Sequence, residues 1–368
     1  MTSDTEQRAE VFPAWEFLRD ELDAREWTVT EFAEILGRPI QAVSEILNGR
    51  KSITPDTASE IAAATGTNAS TWLRLQADYD LAHVRRASGS TRLSDVERRA
   101  RLRTKVPLAE LRKRGIVPDG SVQSQERAVC ELLGIPDVEA KPSLLAAARR
   151  NNHGEAATPV QIAWLACCVR AAEHSPPPTR VRDWRVEAGT LGSSLAQILR
   201  SPQDLRELPA TFARHGIQLV HVEAFKGSRI DGAALIVRGV PVVALSGRLK
   251  RLDSQVFTLA HELAHLSLGH VDKGFRLDLD LASGGSGGLE ARANSRAAGW
   301  VLPPITVTRP ISAAKVHEAA RANNVSPAVV VGRLHQDGIL PWTHLNGLIP
   351  KVTGELMIWP TYPPAQAA

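Results

Sequence analysis

The residues with the clearest potential for chemistry form one short run, His261-Glu262-Leu263-Ala264-His265, which is an H-E-x-x-H pattern. The run lies within VFTLAHELAHLSLGH, residues 256–270, whose apolar content predicts a buried helix. Residues four apart share one face of a helix, so the imidazoles of His261 and His265 can bind one cation. Glu262 then lies beside the open coordination position, where its carboxylate can accept a proton from a metal-bound water. The pattern therefore predicts a hydrolytic metal site, with zinc as the expected ion and Glu262 as the general base.

The apolar flanks distinguish this chemistry from a structural role for the same residues. A polar surface helix would not carry the five apolar residues around the motif, which are Val256, Phe257, Leu259, Leu263 and Leu266. Ionisable groups on a buried helix need partners or a function, because burying an unpaired charge is costly. The alternative, two hydrogen-bonded core histidines with an ion-paired glutamate, is therefore the less favoured interpretation.

A third ligand is expected on a second helix. The longer motif H-E-x-x-H-x-x-G-x-x-H is excluded, because Leu268 and Val271 stand where it needs glycine and histidine. After the glycine-rich segment 283–288, the run LEARANSRAAGWVLP predicts a helix with Glu290 on its core-facing side. Glu290 is therefore the predicted third ligand, and His270 is expected to rotate away from the ligand face. The candidates for stabilising an oxyanion are His270, His317, His335 and His344.

Three β-type stretches precede the metal-binding helix, at residues 217–222, 233–238 and 240–245. The last two are separated by Gly239 and can pair as a hairpin. Because residues 240–245 are close in sequence to the helix, we expect this strand to align an extended peptide by β-strand addition. The sequence predicts a mainly α protein with a small β-sheet, in which the C-terminal domain is α+β.

A second pattern lies near the N-terminus, where two short helices are predicted. Thr28 and Glu31 form a capping-box pattern before a helix that ends at Gly37, and Pro39 opens the next helix, which is expected to bury Ile40. Two such helices joined at a glycine are typical of helix-turn-helix geometry. The candidates for base contacts are Gln41, Ser44 and Glu45, and those for phosphate contacts are Arg38, Asn48, Arg50 and Lys51.

Charge and cysteine content set the wider limits. The 368 residues carry a net charge of only +4, yet residues 74–114 hold twelve Lys and Arg against five Asp and Glu. We interpret this basic segment first as a solvated helical face and second as a phosphate-contacting surface. The three cysteines form no C-x-x-C pair, so a disulfide framework and a cysteine zinc site are disfavoured. With no targeting or membrane-spanning pattern, a cytoplasmic protein is expected.

Longer motifs around both patterns resemble known families. GRPIQAVSEILNGR, ITPDTA and TWLRLQADYDL, within residues 10–85, resemble the HigA-type antitoxin branch of the Cro/CI helix-turn-helix family. That resemblance implies binding to palindromic double-stranded DNA as a homodimer. Val29 departs from it, because many relatives carry glutamine there, close to a phosphate.

The C-terminal motifs are similar to another family. FTLAHELAHLSLGH followed by E-x-x-A-N-x-x-A-A-x-x-x-L-P resembles the ImmA/IrrE metallopeptidases over residues 206–340. This resemblance implies zinc on His261, His265 and Glu290, with Glu262 as general base and a DNA-bound repressor as the substrate. Arg292 and the pair Gly299-Trp300 depart from the family pattern, at positions that are not proposed ligands.

Together the two patterns predict a DNA-binding transcriptional regulator with a zinc-dependent endopeptidase domain, gluzincin-like in its ligands, which cleaves a repressor- or antitoxin-type protein. The alternative is an antitoxin or repressor whose peptidase-like domain senses or binds a partner without proteolysis. A purely structural zinc is the weakest hypothesis, because such sites usually close with four ligands. The predicted division is a helix-turn-helix domain, a helical middle region, a metallopeptidase domain and a C-terminal tail, at residues 10–90, 91–205, 206–345 and 346–368.

Overall fold

The chain forms two compact units, residues 1–98 and 99–368, in the computed structural model. The structure describes residues 11–87, 91–142, 157–271, 275–279 and 288–364. The predicted fold class is confirmed, because the N-terminal unit is helical and the second unit combines helices with a small mixed sheet. The four-part division of the chain stays a prediction.

Five helices pack around the hydrophobic core of the N-terminal unit. They are α1 (Ala14–Asp23), α2 (Val29–Leu36), α3 (Ile40–Leu47), α4 (Pro55–Thr65) and α5 (Ala69–Ala87). Their apolar stripes meet in one cluster that includes Leu18, Phe32, Val43, Ile61 and Trp72. Because each helix carries only one apolar face, this shared cluster is what holds the short helices in place.

Helix α2 begins and ends with local interactions that the sequence predicts. Thr28 Oγ1 accepts a hydrogen bond from the backbone N–H of Glu31 at 3.2 Å, and Glu31 Oε2 accepts one from the N–H of Thr28 at 2.7 Å. This reciprocal pair satisfies two N–H groups at the start of α2. Gly37 ends the helix with φ at +62°, a conformation that costs glycine little. The predicted helix-turn-helix elements are therefore confirmed.

The expected burial of Ile40 is wrong. Val43, Ile46 and Leu47 are buried, whereas the Ile40 side chain is 51% exposed. Ile40 is the first residue of α3, directly after the N-cap residue Pro39. The spacing of the apolar residues in α3 therefore predicts burial correctly for Val43, Ile46 and Leu47 but not for Ile40.

The second unit begins with helices that the sequence left without a function. They are α6 (Thr91–Lys105), which crosses the border between the units, α7 (Leu108–Lys113), α8 (Val122–Leu133), α9 (Pro159–His174), α10 (Trp184–Ile198) and α11 (Leu208–Arg214). Helix α9 is buried over most of its length and holds Cys167 and Cys168 in the core. Helix α10 packs directly against the helix that carries the H-E-x-x-H motif.

Four strands form one mixed sheet with the order β1-β3-β2-β4. They are β1 (Gln218–His221), β2 (Ile230–Val237), β3 (Val240–Leu245) and β4 (Phe275–Leu279). The predicted hairpin is confirmed as antiparallel β2 and β3, joined through Arg238 and Gly239, both with positive φ. Two such residues give the turn the twist that tight hairpins favour. Strand β1 pairs with β3 in parallel, and β4 pairs with β2 antiparallel.

Both faces of β2 and β3 are buried, which explains why these two strands are mostly apolar rather than alternating. Leu219, Ala234 and Val243 belong to a core that also contains residues of α10 and of the motif helix. Val220, Ala233 and Val242 belong to a second core that contains residues of α6 to α9. The sheet therefore separates two hydrophobic layers, and the motif helix lies on one of them.

The motif helix is α12 (Leu252–Ser267), followed by α13 (Gly288–Val301), α14 (Ala313–Ala322) and α15 (Pro327–Gln336). Helices α13 and α15 pack on α12, which is itself in contact with β2 and β3. Residues 346–364 pack into the core through Ile349, Val352, Leu356 and Trp359. The indole N–H of Trp359 donates to the carbonyl of Leu205 at 2.8 Å.

Candidate metal centre and nucleic-acid interface

The structure brings the three predicted metal ligands together. His261 and His265 lie one turn apart on α12, and both side chains are completely buried. Their Nε2 atoms are 2.9 Å apart, and Oε2 of Glu290 lies 3.3 Å from each of them. Two imidazole nitrogens and one carboxylate oxygen, from two helices, therefore point at one place.

This donor set fits a small divalent cation. Zinc is bound by imidazole and carboxylate at about 2.0–2.2 Å, and a tetrahedral arrangement places its ligand atoms about 3.3 Å apart. The observed separations of 2.9 to 3.3 Å agree with that spacing. Three protein ligands leave one tetrahedral position, which is typical of a catalytic rather than a structural site.

His270 contacts the far side of one ligand. It lies off the ligand face, as expected from its spacing, and its Nδ1 is 3.0 Å from Nδ1 of His265. A partner on the second ring nitrogen fixes the orientation and tautomer of an imidazole ligand. His270 can therefore hold the His265 ring with Nε2 turned towards Glu290.

The predicted general base is enclosed between α12 and the sheet. Glu262 is completely buried, and it faces Gly232 on β2. A Cβ atom at position 232 would lie 2.4 Å from Glu262 Oε1 and 2.9 Å from Thr258 Cγ2. Only a residue without a side chain leaves room for the carboxylate. Sequence reasoning missed Gly232, although an isolated glycine in a strand is a recognised signal of close approach.

The expected peptide-aligning role of residues 240–245 is wrong. Strand β3 is hydrogen-bonded to β1 on one side and to β2 on the other, so its backbone cannot pair with another strand. Strands β1 and β4 lie at the two edges of the described sheet instead. The sequence could not reveal this order, because strand order is decided by long-range packing rather than by the spacing of strands along the chain.

The four histidines proposed for oxyanion stabilisation differ in burial and in whether they contact the ligand cluster. His335 is buried, with Nε2 2.9 Å from the carbonyl of His344 and Nδ1 3.5 Å from Arg251, so both ring nitrogens have partners outside the ligand cluster. His317 and His344 are exposed. His270 contacts the ligand His265. Of these four histidines, His270 is the one whose ring contacts a predicted metal ligand.

The predicted DNA-contacting residues lie on and around α3. Gln41, Asn48, Arg50 and Lys51 are exposed, and Ser44 and Glu45 are half-buried. Arg38 differs, because its guanidinium forms a two-pronged pair with Glu60 at 2.5 and 3.1 Å. Asn48 is also engaged within the unit, since its Oδ1 accepts from Arg19 at 2.8 Å. The pairing of Arg38 indicates a structural use of that side chain within the domain.

Part of the basic segment is neutralised within the second unit. Arg101 pairs with Glu139 at 2.6 Å, and Arg112 pairs with Asp119. Arg114 pairs with Glu110 at 2.8 Å and also donates to the carbonyls of Glu223 and Ala224. These pairs lower the charge that the segment can offer to phosphate groups.

Comparison with known proteins identifies both parts of the chain. Residues 18–72 match the helix-turn-helix family, and residues 212–335 match the IrrE N-terminal-like domain of peptidase family M78. Virulence-associated protein A of Dichelobacter nodosus is 44% identical over 57 residues, which are 15% of this chain and 56% of that protein. This chain thus spans little more than half of that curated relative. A solved addiction module antidote protein of the HigA family from Coxiella burnetii is 35% identical over 22% of this chain and 89% of its own, with a TM-score of 0.21.

The fold and the matches define a protein in which a DNA-binding domain of the helix-turn-helix class is joined to a metallopeptidase-like domain. Its N-terminal part is similar to the Cro/CI-type helix-turn-helix family over residues 18–72, and its C-terminal part is similar to the ImmA/IrrE-like peptidase family M78 over residues 212–335. Both family resemblances predicted from the sequence are therefore confirmed. Among the described helices, none is both long and apolar enough to cross a membrane.

Proposed function

We propose that the chain is a DNA-binding transcriptional regulator whose C-terminal domain is a zinc-dependent endopeptidase. The observation that carries this proposal is the convergence of His261, His265 and Glu290 within 3.3 Å, with the buried Glu262 following His261 directly on the same helix. Ligands of this type with one open position suit hydrolysis of a peptide bond.

Each residue of the proposed site has a separate task. Zinc held by His261, His265 and Glu290 would polarise the scissile carbonyl and make water more acidic. Glu262 accepts a proton at its carboxylate and passes it to the leaving amine. His270 orients His265 through the contact between their Nδ1 atoms, and Gly232 leaves the space that Glu262 occupies.

The proposed substrate is a repressor- or antitoxin-type protein. The helix-turn-helix domain on the same chain supports this choice, because binding to DNA would bring the peptidase domain close to other proteins on that DNA. Tethering two partners to one site raises their effective concentration without any further contact.

The proposal is tested by comparing metal content with cleavage. Wild-type protein, Glu262→Gln and His265→Ala are loaded with zinc, and the metal is quantified before each is incubated with a degenerate peptide library. We expect stoichiometric zinc and cleavage in the wild type, zinc without cleavage in Glu262→Gln, and loss of both in His265→Ala. Glu318→Gln, a matched change at an exposed position on α14, should behave as wild type.

Two results would decide against proteolysis. Unchanged cleavage in Glu262→Gln would remove Glu262 as general base. Stoichiometric zinc without cleavage of any peptide or repressor would favour the second function, a transcriptional repressor whose peptidase-like domain binds or senses a partner.

For the N-terminal domain we propose that α3 lies in the major groove of duplex DNA. Gln41, Ser44 and Glu45 would contact base edges, and Asn48, Arg50 and Lys51 would contact the backbone, while Arg38 stays paired with Glu60. Two copies of the chain would bind the two halves of a palindromic operator. Selection from random duplexes should return a palindrome, and light scattering of the protein on that duplex should give the mass of a dimer. A non-palindromic site bound by one copy would contradict this arrangement.

A further inference from the structure

A cleft of about 250 Å³ lies between α12, α13 and α15, with its rim completed by Trp342. We propose that this cleft binds one neutral, apolar side chain of the substrate, next to the peptide bond that is cleaved. The inference rests on the proposed endopeptidase function and adds to it the class of residue that the enzyme selects.

The cleft begins one helical turn from the ligand cluster on both of the helices that supply ligands. Phe257 and Thr258 line it, and they precede His261 and Glu262 by four residues on α12. The rings of Phe257 and His261 have centroids 6.2 Å apart. On α13 the lining residue Asn294 follows Glu290 by four residues. One turn of helix rises about 5.4 Å, so a residue adjacent to the scissile bond can reach the cleft.

The lining of the cleft selects against charge. Its apolar wall is formed by Phe257, Ala298, Val301, Leu302 and Val329. The charged residues on the wall already have partners, since Asp253 pairs with Arg251 at 2.8 Å and Arg333 pairs with Asp337 at 2.8 Å. A charged substrate side chain would lose hydration here without gaining a free counter-charge on these two residues.

Trp342 gives the cleft an exposed aromatic edge. Trp342 is 57% exposed. The centroid of its ring lies 5.0 Å from the ring centroid of His335 and 5.6 Å from Cζ of Arg251. These two neighbours hold the indole in place while one of its surfaces stays open. A fixed, half-open tryptophan beside an apolar cleft offers a large contact area at little entropic cost.

The size of the cleft limits its occupant to a single side chain. Pockets that take drug-sized ligands have volumes of roughly 300–1,000 Å³, and this cleft is smaller. Leucine, methionine and phenylalanine therefore match it in both size and polarity. A helix or a whole folded element of the substrate does not fit.

The test maps cleavage specificity in the full-length, zinc-loaded protein. A degenerate heptapeptide library is digested, and the cleavage sites are identified by mass spectrometry. Ala298→Phe fills the cleft from α13, and Ser295→Phe places the same side chain at an exposed position on that helix. Trp342→Ala removes the aromatic edge. Zinc content and thermal unfolding of every variant show whether it is folded.

We expect wild-type protein to prefer leucine, methionine or phenylalanine over lysine and aspartate by about 10-fold or more at one position flanking the scissile bond. Ala298→Phe should abolish that preference through a raised KM, Trp342→Ala should weaken it, and Ser295→Phe should keep it. Cleavage without an apolar preference, or an equal effect of the two phenylalanine variants, would overturn the inference while the endopeptidase function stands. No cleavage by zinc-loaded wild type would instead refute the endopeptidase function, and the substrate pocket with it.

Discussion

Replacing Gly232 by alanine tests whether the sheet positions the general base. The added Cβ would lie 2.4 Å from Glu262 Oε1 and 2.9 Å from Thr258 Cγ2, whereas ordinary contacts begin at 3.4 Å. Both neighbours are on α12, which is packed against β2 and cannot easily retreat. The carboxylate must therefore move by about 1 Å or rotate away from the ligand cluster.

The size of the effect follows from that displacement. A misplacement of about 1 Å in a reacting group can lower the rate by about 100-fold. Because none of the three ligand residues is changed, we expect Gly232→Ala to keep its zinc and to lose cleavage mainly through kcat. The assay combines zinc analysis, thermal unfolding and the cleavage rate of one library-derived peptide.

Gly299→Ala is the matched control, because a Cβ there would meet nothing within 4 Å. It should retain wild-type cleavage and gain slight stability, since alanine favours helices over glycine. The double variant with Glu262→Gln should be no slower than Glu262→Gln alone, because both changes act through the same carboxylate. A folded, zinc-bound Gly232→Ala protein with a kcat within twofold of wild type would refute the reasoning.

Three further predictions concern other parts of the chain. Thr28→Ala removes the cap of α2 and should destabilise the N-terminal unit by about 1 kcal/mol in urea unfolding, whereas the exposed Thr30→Ala should not. Burial raises the pKa of Cys167 to about 12, and that of Cys168 is also raised, so iodoacetamide at pH 8 should modify these thiols only after unfolding. Modification of the folded protein at the rate of a free thiol would contradict the predicted protection of these cysteines. Because the unfolded thiols ionise near pH 9 and the folded ones do not, the free energy of unfolding should fall as the pH rises above about 9. Lys51→Ala should reduce the salt dependence of DNA binding by about one unit of slope, and an unchanged slope would place Lys51 off the phosphate backbone.

Local spacing was sufficient to predict much of the candidate site. The two histidines share a helix face through their four-residue interval, and Glu290 was predicted from its place on the apolar face of a separate helix. The capping residues Thr28 and Glu31 and the helix end at Gly37 were likewise predictable, because caps depend only on neighbours in sequence.

Features that depend on distant packing could not be predicted in this way. The central place of β3 results from its pairing with both β1 and β2, which no property of residues 240–245 specifies. The burial of Trp359 depends on the carbonyl of Leu205, more than 150 residues earlier in the chain. Similarly, a glycine in a strand signals a close approach, but the group that approaches Gly232 is identified only by the packing of α12 on β2.

The origin of the three ligands on two separate helices also has a mechanical consequence. His265 and Glu290 are 25 residues apart in sequence, so an ion shared between them would act as a cross-link between two distant parts of the chain. Glu290 lies in the first turn of α13, and the same helix supplies Ala298, Val301 and Leu302 to the apolar cleft. Metal loading would therefore pin one wall of the cleft to α12 and couple the shape of the pocket to the presence of the ion.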